Sequence, residues 1–125
     1  VGPFANLREQ NKVGKECKIG DFVELKNCNM GDKTKASHHS YLGDITIGKR
    51  CNIGAGVIVA NYDGTKKNKS TIGDDVFVGC NSNLISPLVV ANNTYICAGT
   101  TLTKNTSEND FVIARVRETF KQRKQ

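Results

Sequence analysis

The chain has 125 residues, 38% of them hydrophobic, and a formal net charge of +6. That length fits one domain, and with no apolar run near the ~18 residues of a membrane helix and no signal-peptide pattern the sequence predicts neither a span nor a secreted leader. The charge gathers at Lys66, Lys67 and Lys69 and again at Arg115, Arg117, Lys121, Arg123 and Lys124; without aromatic–basic interleaving or a nucleic-acid module, it argues for small phosphorylated ligands over nucleic acid.

A six-residue beat begins at once. An aliphatic residue precedes Gly at Val13, Ile19, Met30, Leu42, Ile47, Ile53, Ile72 and Val78, which accounts for eight of the twelve glycines. Four positions after each aliphatic stands a small or β-branched residue, as at Val23, Thr34, Ser40, Cys51 and Val57. A period of six fits neither a helix nor a flat two-sided strand. It fits a prism in which each hexad makes a short strand and a corner, and three hexads close one turn of a parallel β-helix. The aliphatic and the small residue point inward, while Gly, Asn, Asp and Lys cover the corners, where positive φ is expected of Gly and Asn. About six coils fit in residues 1–106.

Residues 1–60 carry the first hexads, and two repeats are a residue short: Leu25 to Met30 and Leu42 to Ile47. Residues 61–70 are polar, break the period and predict an extruded loop with no core position; such loops often carry function. Residues 71–106 resume the beat at Ile72, Val78, Leu84, Val90, Ile96 and Leu102. Residues 107–125 lose it; a last strand is expected at 111–113, then a short basic tail with weak helical character over 118–124. The chain opens at Val1 inside repeat-like sequence, which predicts a fragment with further coils upstream, because an uncapped solenoid end exposes strand edges. The five cysteines show no zinc-type spacing, and Cys17 and Cys51 take the small inward position. They read as reduced, buried thiols, and so predict a cytoplasmic protein.

The irregular segments are more specific than the beat. They are Gly2-Pro3-Phe4-Ala5-Asn6-Leu7-Arg8, Phe22 to Lys26, Lys35-Ala36-Ser37-His38-His39-Ser40-Tyr41-Leu42-Gly43-Asp44, Asn52 to Gly56, Asn61-Tyr62-Asp63-Gly64 and Lys67-x-Lys69. Together they resemble the C-terminal acetyltransferase domain of the bacterial bifunctional N-acetylglucosamine-1-phosphate uridylyltransferase / glucosamine-1-phosphate N-acetyltransferases, a hexapeptide-repeat transferase family. The resemblance runs over nearly the whole chain. It implies an all-β, left-handed parallel β-helix, with the loop at about 61–70 ejected and the tail at 107–125. It also implies acetyl transfer from acetyl-CoA to the 2-amine of glucosamine 1-phosphate, on the route to UDP-N-acetylglucosamine, in a homotrimer with sites between subunits.

Roles follow from the same resemblance. An ammonium group must lose a proton before it attacks, and His titrates near neutrality; His38 stands at the base position. His39 would face the opposite way on an extended strand. Glu24 would orient the imidazole. Arg8, Lys26, Tyr41, Asn52 and Lys67 match acceptor contacts, and Lys67 would reach a neighbouring subunit. Ala55, Asn61, Tyr62, Cys80, Ala98 and Arg115 match the acetyl-CoA site. An N–H near Ala55 would hold the oxyanion. No metal is implied in this half of the family's proteins. Cys80 departs from the family's Ser, and a thiol is the weaker donor; Arg117 stands where Pro is expected. Two rivals remain: a hexapeptide acyltransferase with another acceptor, and a non-catalytic β-helix module. A γ-type carbonic anhydrase would need three His, and only two exist.

Overall fold

Alternating inward aliphatic and outward polar residues, bent every five or six positions, make short strands and tight corners. The computed structural model describes residues 1–124. Among them thirteen strands follow in chain order: β1 (Asn6–Leu7), β2 (Lys12–Val13), β3 (Lys18–Met30), β4 (Lys35–Ile47), β5 (Asn52–Ile53), β6 (Ile58–Ala60), β7 (Ser70–Ile72), β8 (Phe77–Val78), β9 (Asn83–Ile85), β10 (Val89–Val90), β11 (Tyr95–Ile96), β12 (Thr101–Leu102) and β13 (Phe111–Val112). All ladder pairings between these strands are parallel, and no helix occurs among the described residues.

The chain winds into a parallel β-solenoid of about six turns. Three inward columns fill it. Leu25, Leu42, Val59 and Leu84 stack on one face, Met30, Ile47, Ile72 and Val90 on the second, and Ile19, Ile53, Val78 and Ile96 on the third. Each is almost fully buried, and side chains of this size contribute about 1.5–3 kcal/mol apiece when taken out of water.

Corner hydroxyls and thiols tie successive coils. Cys17 donates to the Gly31 carbonyl, Thr34 to Gly48, Ser40 to Gly54 and Ser82 to Cys97. Thr100, at the last full coil, is the buried hydroxyl left without a partner among the described residues.

The corners follow the sequence expectation only in part. Positive φ falls on Phe4, Gln10, Glu16, Phe22, Lys33, His39 and Arg50 as readily as on Asn27, Asn81 and Asn93. The glycine two residues earlier serves a different need. A Cβ on Gly20 would strike the Ser37 carbonyl, and one on Gly31 would strike Gly48. Those glycines let coils stack closely; the turning is shared between residues with side chains and the glycines Gly56 and Gly99, at φ 79° and 76°.

The ejected loop also departs from the expectation of no core position. Ser70 belongs to β7 and is buried, and Asn61 is buried at the other end. The tail shows no helix over 113–124; β13 pairs with β11 and the chain then runs without regular structure. All five cysteines are free, but against the expectation of burial Cys80 is exposed and Cys17 only half-buried, because Cys80 stands at a corner rather than at the small inward position. Burial pushes the Cys28 thiol up to about 12, as suits an inert core thiol. No helix is long and apolar enough to cross a membrane among the described residues.

Candidate active site

Two clusters gather on one side of the solenoid, at the two ends of the face that carries Leu25 and Leu42. The first grows from the short repeats. Only five residues separate the corner at Phe22 from that at Asn27, and the corner at His39 from that at Asp44. With one residue fewer, each strand reaches its next corner early. Lys26 and Asp44, which the regular beat would leave outside, are tucked against it, 8% and 7% exposed.

Asp44 is the hub. Asn27 donates to its Oδ1 at 3.0 Å and Asn61 to its Oδ2 at 2.8 Å, and Lys26 Nζ lies 3.3 Å from Oδ2. Burial pushes the Asp44 carboxyl up, but donation from Asn27, Asn61 and Lys26 together outweighs it and holds the group below the usual carboxylate range. Asn61 also donates to the Tyr41 hydroxyl at 3.2 Å. Both side chains pass over Gly43, where a Cβ would collide with the Tyr41 hydroxyl and the Asn61 amide. That close approach is why no larger residue fits at 43.

Cations ring the hub. Arg8 donates to Glu24 at 3.2 Å. Lys67 returns from the loop to the neighbourhood of Lys26 in its own chain. Lys26 is held up, first by Lys67 and then by Asp44; Lys67 is held down by Lys26. Asp63 organises the loop by accepting from Thr65 N–H and Lys66 N–H, each at 2.8 Å, and from the Asn68 amide at 3.1 Å.

The second cluster is a corner column. The ladder sets His38 opposite Asp21, and the same register carries upward through the bonds Gly56 N–H to His39 O, Asn81 N–H to Ala55 O and Gly99 N–H to Cys80 O. His38, Ala55, Cys80 and Ala98 therefore stack on successive coils. Arg115 comes back from the tail to donate to the Ala98 carbonyl at 2.8 Å. His38 and Cys80 are exposed.

His39 does not behave as an extended-strand residue. Its φ is 44°, so the strand turns there. A shallow cleft of about 180 Å³ beside it is lined by Phe22, Glu24, His39, Ser40, Tyr41 and Ile58. Glu24 thus meets His39 across the cleft and Arg8 by hydrogen bond, with His38 one residue off that lining.

Two sequence candidates lie apart. Asn52 is on the third face, between Lys35 and Phe77 in the ladder. Tyr62 is exposed in the loop, bonded to the Gly64 carbonyl. The sequence reading missed Asp44 as a site member. Its signal was the one-residue shortening of the repeat that contains it. Also missed was an outward ladder of stacked rings, Phe77 on Tyr95 at 4.6 Å and Tyr95 on Phe111 at 5.3 Å.

The family description "Bacterial transferase hexapeptide (six repeats)" matches residues 69–104. Over 122 residues the chain is 56% identical to the bifunctional protein GlmU of Acetivibrio thermocellus, covering 98% of this chain and 26% of that protein. It is 53% identical to the bifunctional protein GlmU of Clostridium botulinum, covering 98% of this chain and 27% of that one. The matched part is the C-terminal region, and the chain spans about a quarter of the length of these relatives.

Among solved structures, the acetyltransferase domain of PglB from Neisseria gonorrhoeae in complex with acetyl coenzyme A superposes with a TM-score of 0.77 at 12% identity, covering 86% of this chain and 50% of that one. A variant of GDP-perosamine N-acetyl transferase from Caulobacter crescentus, in complex with CoA and GDP-perosamine, gives 0.67 at 16% identity, covering 86% and 49%. At such identities the likeness speaks for the fold.

Proposed function

We propose that this hexapeptide-repeat domain transfers the acetyl group of acetyl-CoA to the 2-amine of glucosamine 1-phosphate, within a longer cytoplasmic protein that also makes UDP-N-acetylglucosamine for the cell wall. The observation that carries the reading is the convergence of Arg8, Lys26 and Lys67 on one edge, beside a corner column that starts at His38. Three basic side chains suit a phosphomonoester dianion, and Arg can meet it with two parallel N–H bonds. The high identity to bifunctional GlmU proteins supports the same acceptor and donor.

The chemistry needs one base and one oxyanion donor. His38 takes a proton from the acceptor ammonium group, and the freed amine attacks the thioester carbonyl. The attacking nitrogen sheds its second proton as the tetrahedral intermediate collapses to the amide; the departing coenzyme thiolate takes up that proton, and the one held by His38 passes to solvent. Gly54 and Gly56 give their N–H groups to the Val78 and His39 carbonyls at 2.8 and 2.7 Å. Ala55 between them is placed to offer its N–H to the oxyanion. Acetyl-CoA lies along Ala55, Cys80 and Ala98, whose small side chains admit a ligand to the backbone, with Asn61 and Tyr62 beside it and Arg115 at its phosphates. The distance of Asn52 and Tyr62 from the cation edge supports a site completed by neighbouring copies in a homotrimer; sedimentation should then show a species of three chains.

The test is thiol release from acetyl-CoA in the presence of glucosamine 1-phosphate, corrected for the protein's own thiols. Wild-type release should require the sugar phosphate and collapse in His38→Ala. The position of His39 in the cleft with Glu24 and Tyr41 supports a second base assignment. Survival of His38→Ala with loss in His39→Ala would transfer the role to His39, and indifference to both would sink the mechanism.

A further inference from the structure

Resting on the anion-site reading above, we infer that Asp44 is the positioning residue of the site, a buried carboxylate that fixes the acceptor cation Lys26 and the loop residue Asn61 in one frame. Two independent facts of geometry lead there. The first is connectivity. Asp44 lies 3.3 Å from Lys26 Nζ and accepts from Asn61 at 2.8 Å, and Asn61 in turn holds the Tyr41 hydroxyl at 3.2 Å. One carboxylate therefore touches the strand that carries Lys26 and the root of the loop that carries Lys67, and reaches Tyr41 through Asn61. The second is rigidity. Asn27, at a left-handed corner, clamps the opposite oxygen of Asp44 at 3.0 Å, so the carboxylate is held from both sides.

The charge arithmetic explains why such a residue is needed. Arg8, Lys26 and Lys67 crowd one edge, and the positive charge of Lys26 works against that of Lys67. Without a buried anion, like-charge repulsion would expel one arm into solvent or strip its proton. Asp44 holds Lys26 protonated and inward, so that a phosphate dianion meets a set geometry. Glu24 stands on the same edge but is engaged by Arg8 at 3.2 Å, and it does not reach the loop.

The sign of one measurement separates positioning from simple field effects. If Asp44 only diluted the positive field, Asp44→Asn would bind anions more tightly. Positioning predicts the reverse. Inorganic phosphate binding by calorimetry should weaken about tenfold in Asp44→Asn, with recovery in Asp44→Glu. In the acetyl-transfer assay the acceptor KM should rise at least as much. Lys26→Ala should add little in the Asp44→Asn background, because both remove the same arm.

Asn27→Gly keeps the corner conformation and removes one clamp, so a threefold weakening is expected from it even if Asp44→Asn folds poorly. Unchanged or tighter phosphate binding in Asp44→Asn and Asn27→Gly would overturn the inference. Wild-type turnover with Asp44-independent phosphate binding would overturn it while leaving the function standing. Phosphate binding that depends on Asp44, without acetyl transfer, would uphold it and remove the function.

Discussion

The coils of residues 18–61 and those of 71–106 share one fold and do different work. In the later coils the ladder advances by 18 residues, as Thr71 to Val89 and Phe77 to Tyr95. Burial alternates at every residue from Ser82 to Val90, and the buried polar groups are hydroxyls. In the earlier coils the ladder advances by 17, as Lys18 to Lys35 and Lys35 to Asn52. There the buried polar groups include Lys26, Asp44 and Asn61. Burying ionisable groups is costly unless they are paired, and here they are. The regular coils bury only hydroxyls among their polar groups, and the missing residue in each short coil is what brings Lys26 and Asp44 into the buried layer.

The sharpest break between the regions should come from His38→Ala. His38 is exposed, so stability should hardly move, while general-base loss costs about 10²–10⁴-fold in kcat. Turnover and a thermal melt on the same sample check both halves. Leu84→Ala should do the opposite. It opens a cavity in the regular coils at a cost of about 2–5 kcal/mol, read as a lower urea midpoint, with turnover per folded molecule unchanged. A large fall in turnover there would mean that the two regions are not separable.

Gly43→Ala should act on the irregular coils alone. The added methyl displaces Tyr41 and Asn61, and misplacement on that scale can cost up to about 10²-fold in rate. A steady-state assay with a melt decides it; full activity would show that the crossing over Gly43 does not matter.

The smallest effect belongs to the loop. Asp63 is held at about 2, chiefly by the Lys66 N–H, then by Asn68 and the Thr65 N–H. A carboxylate held low in the folded state supports the loop above its ordinary value near ~3.9, and that support is lost as pH falls toward about 2. Amide exchange at Thr65 and Lys66 should therefore rise across that window while the solenoid amides stay protected.

Much of this was legible beforehand. The beat at Ile72, Val78, Leu84, Val90, Ile96 and Leu102 specified inward columns, since an aliphatic every six residues has no other way to leave water in a prism. The motif around His38 and Tyr41 falls where the two clusters gather, but the geometry at His39 differs from the expectation. His39 turns at positive φ, and an alternation argument assumes an extended chain. The loop's ends were misjudged for a related reason: polarity predicted exposure, yet Asn61 and Ser70 are buried because each has a partner, Asp44 for one and Ser86 for the other.

Sequence by itself determined the period, the inward columns, the reduced cysteines and the three cations, because each is a property of residue type and spacing along one strand. Only the tertiary structure decided what meets what. Arg8, Asp44, Asn61 and Lys67 stand in three different coils and a loop, and their approach depends on a ladder offset of 17 residues and on how far the loop folds back. Such offsets leave no mark in local composition, since they are set by the stacking of whole coils.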